Sequence, residues 1–373
     1  MKTRVKLGDV INTRKGFAFK SSWFKDDGDT AIAKVTNFTA NSIDESGLVK
    51  ISRELGDKYQ SYRLNAGDVV IQTVGSWASN PNSVVGKCVR VPASVDGALL
   101  NQNAVIVSPK SEISQTYLYY LLKTDGFKGY IVGTAQGAAS QAAITLDSLR
   151  AYEFELPALE DQNKISTTLQ SYDELIENNS KRITKLKIIA DLIYSNAARG
   201  KARTTSLEQK LPVKKGKNIT KSTITPGNVP VVAGGLEPAY YHNTPNTQGP
   251  VITISASGAN AGFVNIYHQS VWASDCTYID VTATQNVYFY YVLLKNNQRE
   301  ITHLQKGSAQ PHVYPTDLEN LKIPDFTDDE IKHLSSKVSP IYELIAVLEQ
   351  KNNSLSRTRD LLIPRLISQG VRT

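Results

Sequence analysis

Cysteine is almost missing from this sequence: Cys88 and Cys276 are the only two in 373 residues, far apart and without C-x-x-C spacing. That excludes a disulfide framework and a paired-thiol zinc or redox motif, and both are read as buried free thiols. Histidine is scarce too. The five, His242, His268, His303, His312 and His333, lie in the second half with no H-x-x-x-H spacing, so no metal site is expected. Nothing approaches the roughly 18 apolar residues of a membrane span, and the opening MKTRVKLGDVINTRKG is too polar for a signal peptide. A cytoplasmic chain is expected. Catalytic strings are lacking as well. A base-methylating centre needs an Asn/Asp-Pro-Pro-Tyr/Phe string to grip the extruded base; the nearest match, Asn80-Pro81-Asn82, has no aromatic to stack. No G-x-x-x-x-G-K-[ST] loop is present to hold nucleotide phosphates. Pro324-Asp325 with Glu330-Ile331-Lys332 imitates a metal-nuclease string, but those carboxylates stand where a helix opens, and capping explains them. The expectation is a chain with no catalytic centre, cofactor or metal of its own.

What is present is a long, basic, soluble-type composition. With 40% hydrophobic and 21% charged residues the chain can build ordinary cores, and its length favours more than one of them. The formal charge of +7 suits an anionic partner, but no run of five or six lysines or arginines concentrates it. Any binding surface must therefore be assembled by folding.

Two heptad patterns dominate. Ile165, Leu169, Tyr172, Ile176, Asn179, Ile183, Leu186, Ala190, Ile193 and Ala197 draw one apolar seam. Ile331, Leu334, Val338, Ile341, Ile345, Leu348, Asn352, Leu355, Arg359, Leu362 and Leu366 draw a second. Each rod opens on a proline and an acidic turn, PALEDQ from Pro157 and PDFTDDE from Pro324, and closes near a glycine, Gly200 or Gly370. At 1.5 Å per residue, about 35 residues span about 50 Å, long for a globular helix and natural for a coiled coil. Both rods run from acidic to basic, so antiparallel packing sets unlike charges and helix dipoles side by side. Asn179, Asn352 and Arg359 in the seams lower stability and set register.

The segments before the rods also correspond. YLYYLL from Tyr117 matches YFYYVL from Tyr288, QGAASQAAITLDSL matches KGSAQPHVYPTDL, and DELI from Asp173 matches YELI from Tyr342, at an offset near 170 residues. This is a duplication on the scale of a domain, not a solenoid. Strand-like runs such as GDVVIQTVG and GPVITISASG, edged by Gly, Ser and Asn turns, give mixed α/β domains. The expected class is α+β: two mixed α/β domains in pseudo-two-fold repeat, at opposite ends of two long helices that form an antiparallel coiled coil. The boundaries are 1–155 for the first domain, 156–203 for the central helix, 204–324 for the second domain and 325–373 for the last helix.

These residues resemble the specificity subunits of type I restriction-modification systems over nearly the whole chain. The first half carries VKLGDVINTRKGFAFKSS, GDVVIQTVGS, Asn101-Gln102, QGAASQAAI and LPALEDQNKI in that family's order. The second carries VPVVAGG, ITISASGANAG, Ser274-Asp275, GSAQPHV and DLLIPRLISQG. His312 stands where the family commonly has asparagine, Tyr314 where it has serine, and SQAAI replaces a Gln-Pro-Asn type string. The resemblance implies that two target recognition domains each read half of a bipartite duplex site while the helices set their spacing. It also implies two adenine-N6 methyltransferase subunits and restriction/translocase subunits as partners, to which S-adenosylmethionine, ATP and Mg²⁺ belong. The competing reading is a coiled-coil scaffold or adaptor with a non-DNA ligand; salt-dependent duplex binding separates the two. Loops that combine donors or amides with glycine supply the DNA-contact candidates. In the first domain these are Lys15, Lys20, Asn37, Ser76, Trp77, Asn80, Asn82, Gln136 and Gln141, and in the second Lys215, Lys217, Ser257, Asn260, Gln310 and His312.

Overall fold

A computed structural model describes residues 3–77, 84–137, 141–307 and 310–369. They form two compact units: residues 1–176 with 354–373, and residues 177–353. The two long helices are divided between them, so each unit holds one α/β domain and one half of each rod.

In the first unit a four-stranded antiparallel sheet runs in the order Ile11–Lys15, Ala104–Pro109, Val69–Gln72, Cys88–Arg90. Val69 to Gln72 is buried at every position, because both faces of this central strand are covered. Val69, Ile71, Val105 and Val107 face the helix Gln115–Leu121, whereas Val70, Val89 and Ile106 face a second core with Ala33, Leu64 and Leu100. The alternation is the two-residue period of a strand. The second core is closed by a three-stranded sheet, Val49–Ile51, Thr30–Ala33 and Leu99–Leu100, whose last pairing is parallel. Each fully buried Val, Leu or Ile contributes roughly 1.5–3 kcal/mol, so a charge in the central strand would break this layering.

The second unit repeats this topology strand for strand. Lys214–Lys215, Cys276–Asp280, Val251–Ser255 and Val264–Tyr267 form its four-stranded sheet. Tyr240–His242, Val229–Val232 and Trp272–Ala273 form the three-stranded one, again with a parallel last pair. Ile252, Ile254, Val264 and Ile279 pack on the helix Val287–Asn296, and Val232, Val251, Val271 and Ala273 form the smaller core on the other face. The duplication read from sequence is thus a duplication of fold.

The central helix is Leu159–Ala198 and the C-terminal helix Asp328–Gln369, each with acidic residues in its first turn. Gln162, fully buried, fastens the start of the first: its amide donates to the Glu112 and Pro157 carbonyls at 2.9 Å and accepts the Ser114 N–H at 2.9 Å. Ser114 in turn caps the tyrosine helix by accepting the Tyr117 N–H. Inside the first unit Ile165 and Leu169 share a core with Ile363 and Ile367, and Asp173 meets Arg359 at 2.5 Å. Inside the second, Asn179 donates to Asn352 at 2.9 Å, and Ala190 and Tyr194 share a core with Tyr342 and Ile345. In both units rising numbers on one helix meet falling numbers on the other, so the pair is antiparallel as the charge gradients require. The register departs from the expected seam at the end: Ile363 and Ile367 are buried, while Leu362 and Leu366 are half-buried. Steps of four from Arg359 follow the 3.6-residue turn of a helix packed on a domain face, not the 3.5-residue heptad.

Candidate nucleic-acid interface

Three backbone features converge at one end of each four-stranded sheet. In the first unit the strand Ile11–Lys15 ends there with Lys15 exposed, and the next residue, Gly16, runs so close to the neighbouring chain that a Cβ would lie 1.9 Å from the Asn101 carbonyl. Phe17 bridges Asn101, and its carbonyl accepts the Gln102 N–H at 2.8 Å. Asn103 has a left-handed φ of 71°, which turns its carbonyl toward the Thr73 N–H at 2.7 Å. Beyond Thr73, Val74–Gly75 pairs with Ala142–Ala143. Ala143 in turn exchanges both backbone bonds with Gln136. Lys15, Ser76, Gln136 and Gln141 therefore belong to one loop cluster, with Gln136 and Gln141 exposed on a hairpin.

The second unit builds the same cluster from different side chains. Lys215 closes its strand, and a Cβ on Gly216 would lie 2.3 Å from the Ser274 carbonyl. The Lys217 N–H donates to the Ala273 carbonyl at 2.9 Å, and its own carbonyl accepts the Trp272 indole N–H at 2.8 Å. Ser257 donates its hydroxyl to the Asp275 carboxylate and bridges His312 through the backbone. His312 exchanges two backbone bonds with Lys306 and stacks on Tyr314, ring centroids 6.0 Å apart. Asn260 donates to the Gly234 carbonyl at 3.5 Å. Lys215, Lys217, Ser257, Asn260, Gln310 and His312 are thus gathered at one sheet end, with both lysines and Gln310 exposed. Exposed ammonium and amide groups on glycine-tightened loops can donate to phosphates and base edges.

One expected contact, Asn37, is drawn away from this surface, and two others, Trp77 and Lys20, have local surroundings of their own. Asn37 is buried: its amide oxygen accepts the Lys34 N–H at 2.9 Å and its nitrogen donates to the Gly47 carbonyl at 3.0 Å. That removes it from the contact set, because its polar atoms hold its own loop together. Trp77 is half-buried against the core of the tyrosine helix, an anchoring position. The Lys20 ammonium lies 5.7 Å over the Trp23 ring beside the aromatic cluster of Phe17, Phe19 and Tyr59. Asn80 and Asn82 lie outside the described residues. Conversely, Gln102 and Asn103 are exposed within the cluster and Asp275 orients Ser257, yet none is in the contact set. The pairs Asn101-Gln102 and Ser274-Asp275 already stood out as motifs, and their equivalent places in the two units were the available signal.

A duplicated α/β unit that presents loops from one sheet end, carried on an antiparallel helix pair, defines a modular reader fold. The family model described as "Type I restriction modification DNA specificity domain" matches residues 2–187 and 204–357. The chain belongs to that family, and its role is DNA sequence specificity in a type I restriction-modification system. It is 24% identical over 310 residues to the type I restriction enzyme MjaIX specificity subunit of Methanocaldococcus jannaschii, covering 72% of this chain and 71% of that protein. To the putative MjaX specificity subunit of the same organism it is 21% identical, covering 98% and 92%. The solved type I restriction-modification S subunit of M. genitalium has the same fold, with a TM-score of 0.62 at 16% identity over 98% of this chain and 96% of that one.

Proposed function

We propose that each unit reads one half of a bipartite duplex site through its sheet-end loop cluster, and that the chain itself performs no chemistry. The observation that carries this reading is the duplication of the cluster: the same lysine-glycine strand end, the same adjoining turn and the same hairpin occur in both units on different side chains. Two equivalent platforms with unlike surfaces suit two unlike half-sites. The lysines hold phosphates and set position, while the amides and the imidazole meet base edges in the major groove.

The partners in this reading are two adenine-N6 methyltransferase subunits and restriction/translocase subunits, and S-adenosylmethionine, ATP and Mg²⁺ act in those partners. The paired helices supply a place for docking. Ile188, Ile189 and Leu192 on the central helix, and Leu344 and Val347 on the C-terminal helix, are exposed apolar residues of the second unit outside the buried seam. Such residues favour a further helical partner. The test is transfer of labelled methyl groups to duplex DNA. The rigorously purified chain alone is expected to transfer none and to bind duplex with a steep salt dependence; addition of its methyltransferase partner is expected to create methylation at one bipartite sequence. Methyl transfer by the chain alone, or salt-independent binding, would refute the reading.

A further inference from the structure

The two units differ in their exposed apolar surface. Among the described residues, the large hydrophobic side chains exposed outside the two long helices are Leu236, Tyr240, Tyr241 and Tyr314, all in the second unit. Three of them belong to one hairpin, which joins the strands Val229–Val232 and Tyr240–His242: Leu236 is 51% exposed, Tyr240 40% and Tyr241 55%. The hairpin is laid against the loop cluster described above. A Cβ on Gly234 would lie 2.7 Å from the Ser257 carbonyl and 3.6 Å from the Asp275 carboxylate. The Gly234 carbonyl accepts the Ser255 hydroxyl at 3.2 Å and the Asn260 amide at 3.5 Å. Glycine is required at this approach, and two residues later Leu236 projects into solvent.

The corresponding connection of the first unit, between Thr30–Ala33 and Val49–Ile51, is drawn onto its own domain. The Lys87 ammonium donates to the Phe38 carbonyl at 2.8 Å, Lys123 to the Ala40 carbonyl at 3.1 Å, and the Arg90 N–H to the Asn41 carbonyl at 3.0 Å. Its residues 39–42 are Thr, Ala, Asn and Ser. Among the described residues, the first unit has no exposed large hydrophobic side chain at this place.

We propose that the hairpin around Leu236 and Tyr241 is a specificity-determining edge of the second unit that packs on thymine methyl groups in the major groove, an edge for which the described residues of the first unit offer no exposed apolar equivalent. The inference rests on the DNA-reading function proposed above. Apolar side chains continuous with a phosphate- and base-facing loop cluster gain most where a base edge is itself apolar, and in the major groove that edge is the thymine C5-methyl. Such a contact contributes to sequence preference without releasing counterions, so it leaves the salt dependence of binding unchanged.

The experiment uses the full chain with its methyltransferase partner, on a duplex whose two half-sites have been identified by mapping methylated adenines. Replacing thymine by deoxyuridine deletes only the methyl group. In the half-site of the second unit this is expected to weaken binding about three- to fourfold per contacted methyl, and in the other half-site to change nothing. With Leu236→Ala and Tyr241→Ala together, the uracil and thymine duplexes should bind alike, with the salt slope of the parent. Both side chains are exposed, and circular dichroism is the check that the variant folds as the parent does. An equal uracil effect in parent and variant, a changed salt slope, or a second-unit half-site without thymine would overturn the proposal. Lys215→Ala with Lys217→Ala separates the two levels. If that pair leaves duplex binding and its salt slope intact, the DNA-reading face itself is misplaced. If it weakens binding while the hairpin variant keeps full methyl sensitivity, the hairpin proposal alone fails, and a protein partner becomes its occupant.

Discussion

Arg359 is 6% exposed, a charged residue buried in a helix seam that is mostly apolar. It keeps its charge because Asp173 accepts its guanidinium at 2.5 Å, Tyr120 donates to the same carboxylate at 2.6 Å, and Asp360 lies 2.7 Å away. In the second unit the residues at the repeated positions are Tyr291, Tyr342 and Ala190, and there an aromatic pair, ring centroids 5.3 Å apart, fills the same place without charge. A buried ion pair of this kind adds little net stability over an apolar pair, but breaking it leaves one charge uncompensated. Asp173→Ala is therefore expected to lower the urea-unfolding free energy by about 3–5 kcal/mol, and Asp173→Leu with Arg359→Leu to restore most of it. A loss under about 1 kcal/mol for the single change would show that water, not Asp173, balances Arg359.

His268 gives the same scale a pH dependence. Its Nδ1 lies 3.0 Å from the Tyr288 hydroxyl and its Nε2 3.6 Å from a Glu349 carboxylate oxygen. Burial, with a smaller contribution from Lys187, pushes the imidazole down from 6.5 to about 4, and the Glu349 carboxylate does not offset this. The folded state thus refuses a proton that the unfolded chain accepts. The contribution to stability is intact above pH 6.5 and is lost as the pH falls toward 4, on the order of 3 kcal/mol. Urea midpoints measured at pH 7 and pH 4.5 should differ less in His268→Gln than in the parent. Equal pH sensitivity in both proteins would assign the acid response to other groups.

At the scale of elements, Gly16 and Gly216 follow the last strand residues Lys15 and Lys215 and pass a neighbouring backbone at the same place in each repeat. A methyl group at either has nowhere to go, because the atom it meets is a carbonyl oxygen held by the sheet. Gly16→Ala should relax recognition of one half-site and Gly216→Ala of the other, each leaving the opposite half intact in methylation maps. If either change altered both halves, the two clusters would not be independent. The long helices and the strand runs were legible in the chain because each rests on a local pattern, a heptad seam or an apolar run bounded by turn residues. Asn37 was misread because its partners, Lys34 and Gly47, are made neighbours only by the loop. The seam slipped at Ile363 because burial there is imposed by a domain face shared with Ile165 and Leu169.

For the whole molecule, two readers address one duplex only if their separation and phase are held, and the helix pair is the element continuous through both units. Four residues inserted in the central helix add about 6 Å, equivalent to about 2 base pairs. The insertion is unmatched in the partner helix, so the realised shift is at most that. Methylation maps should show both half-sites unchanged and the gap between them widened. An active variant with the original gap would place the spacing elsewhere, and altered half-sites with a constant gap would contradict the division between readers and rods.

The sequence by itself determined the repeat, the two rods, their antiparallel sense and the family, because heptads, charge gradients and ordered motifs are properties of neighbouring residues and of their spacing along the chain. Only the tertiary structure decided which polar groups share a surface. Gly16 and Phe17, next to Lys15, meet Asn101, and Ser257 meets Asp275 and His312, through contacts between segments distant in the chain. It also decided that the second hairpin bears its apolar side chains outward while the first is tied down by Lys87 and Lys123. Both outcomes depend on which backbone carbonyls a folded sheet brings within reach, and no local pattern along a chain encodes that.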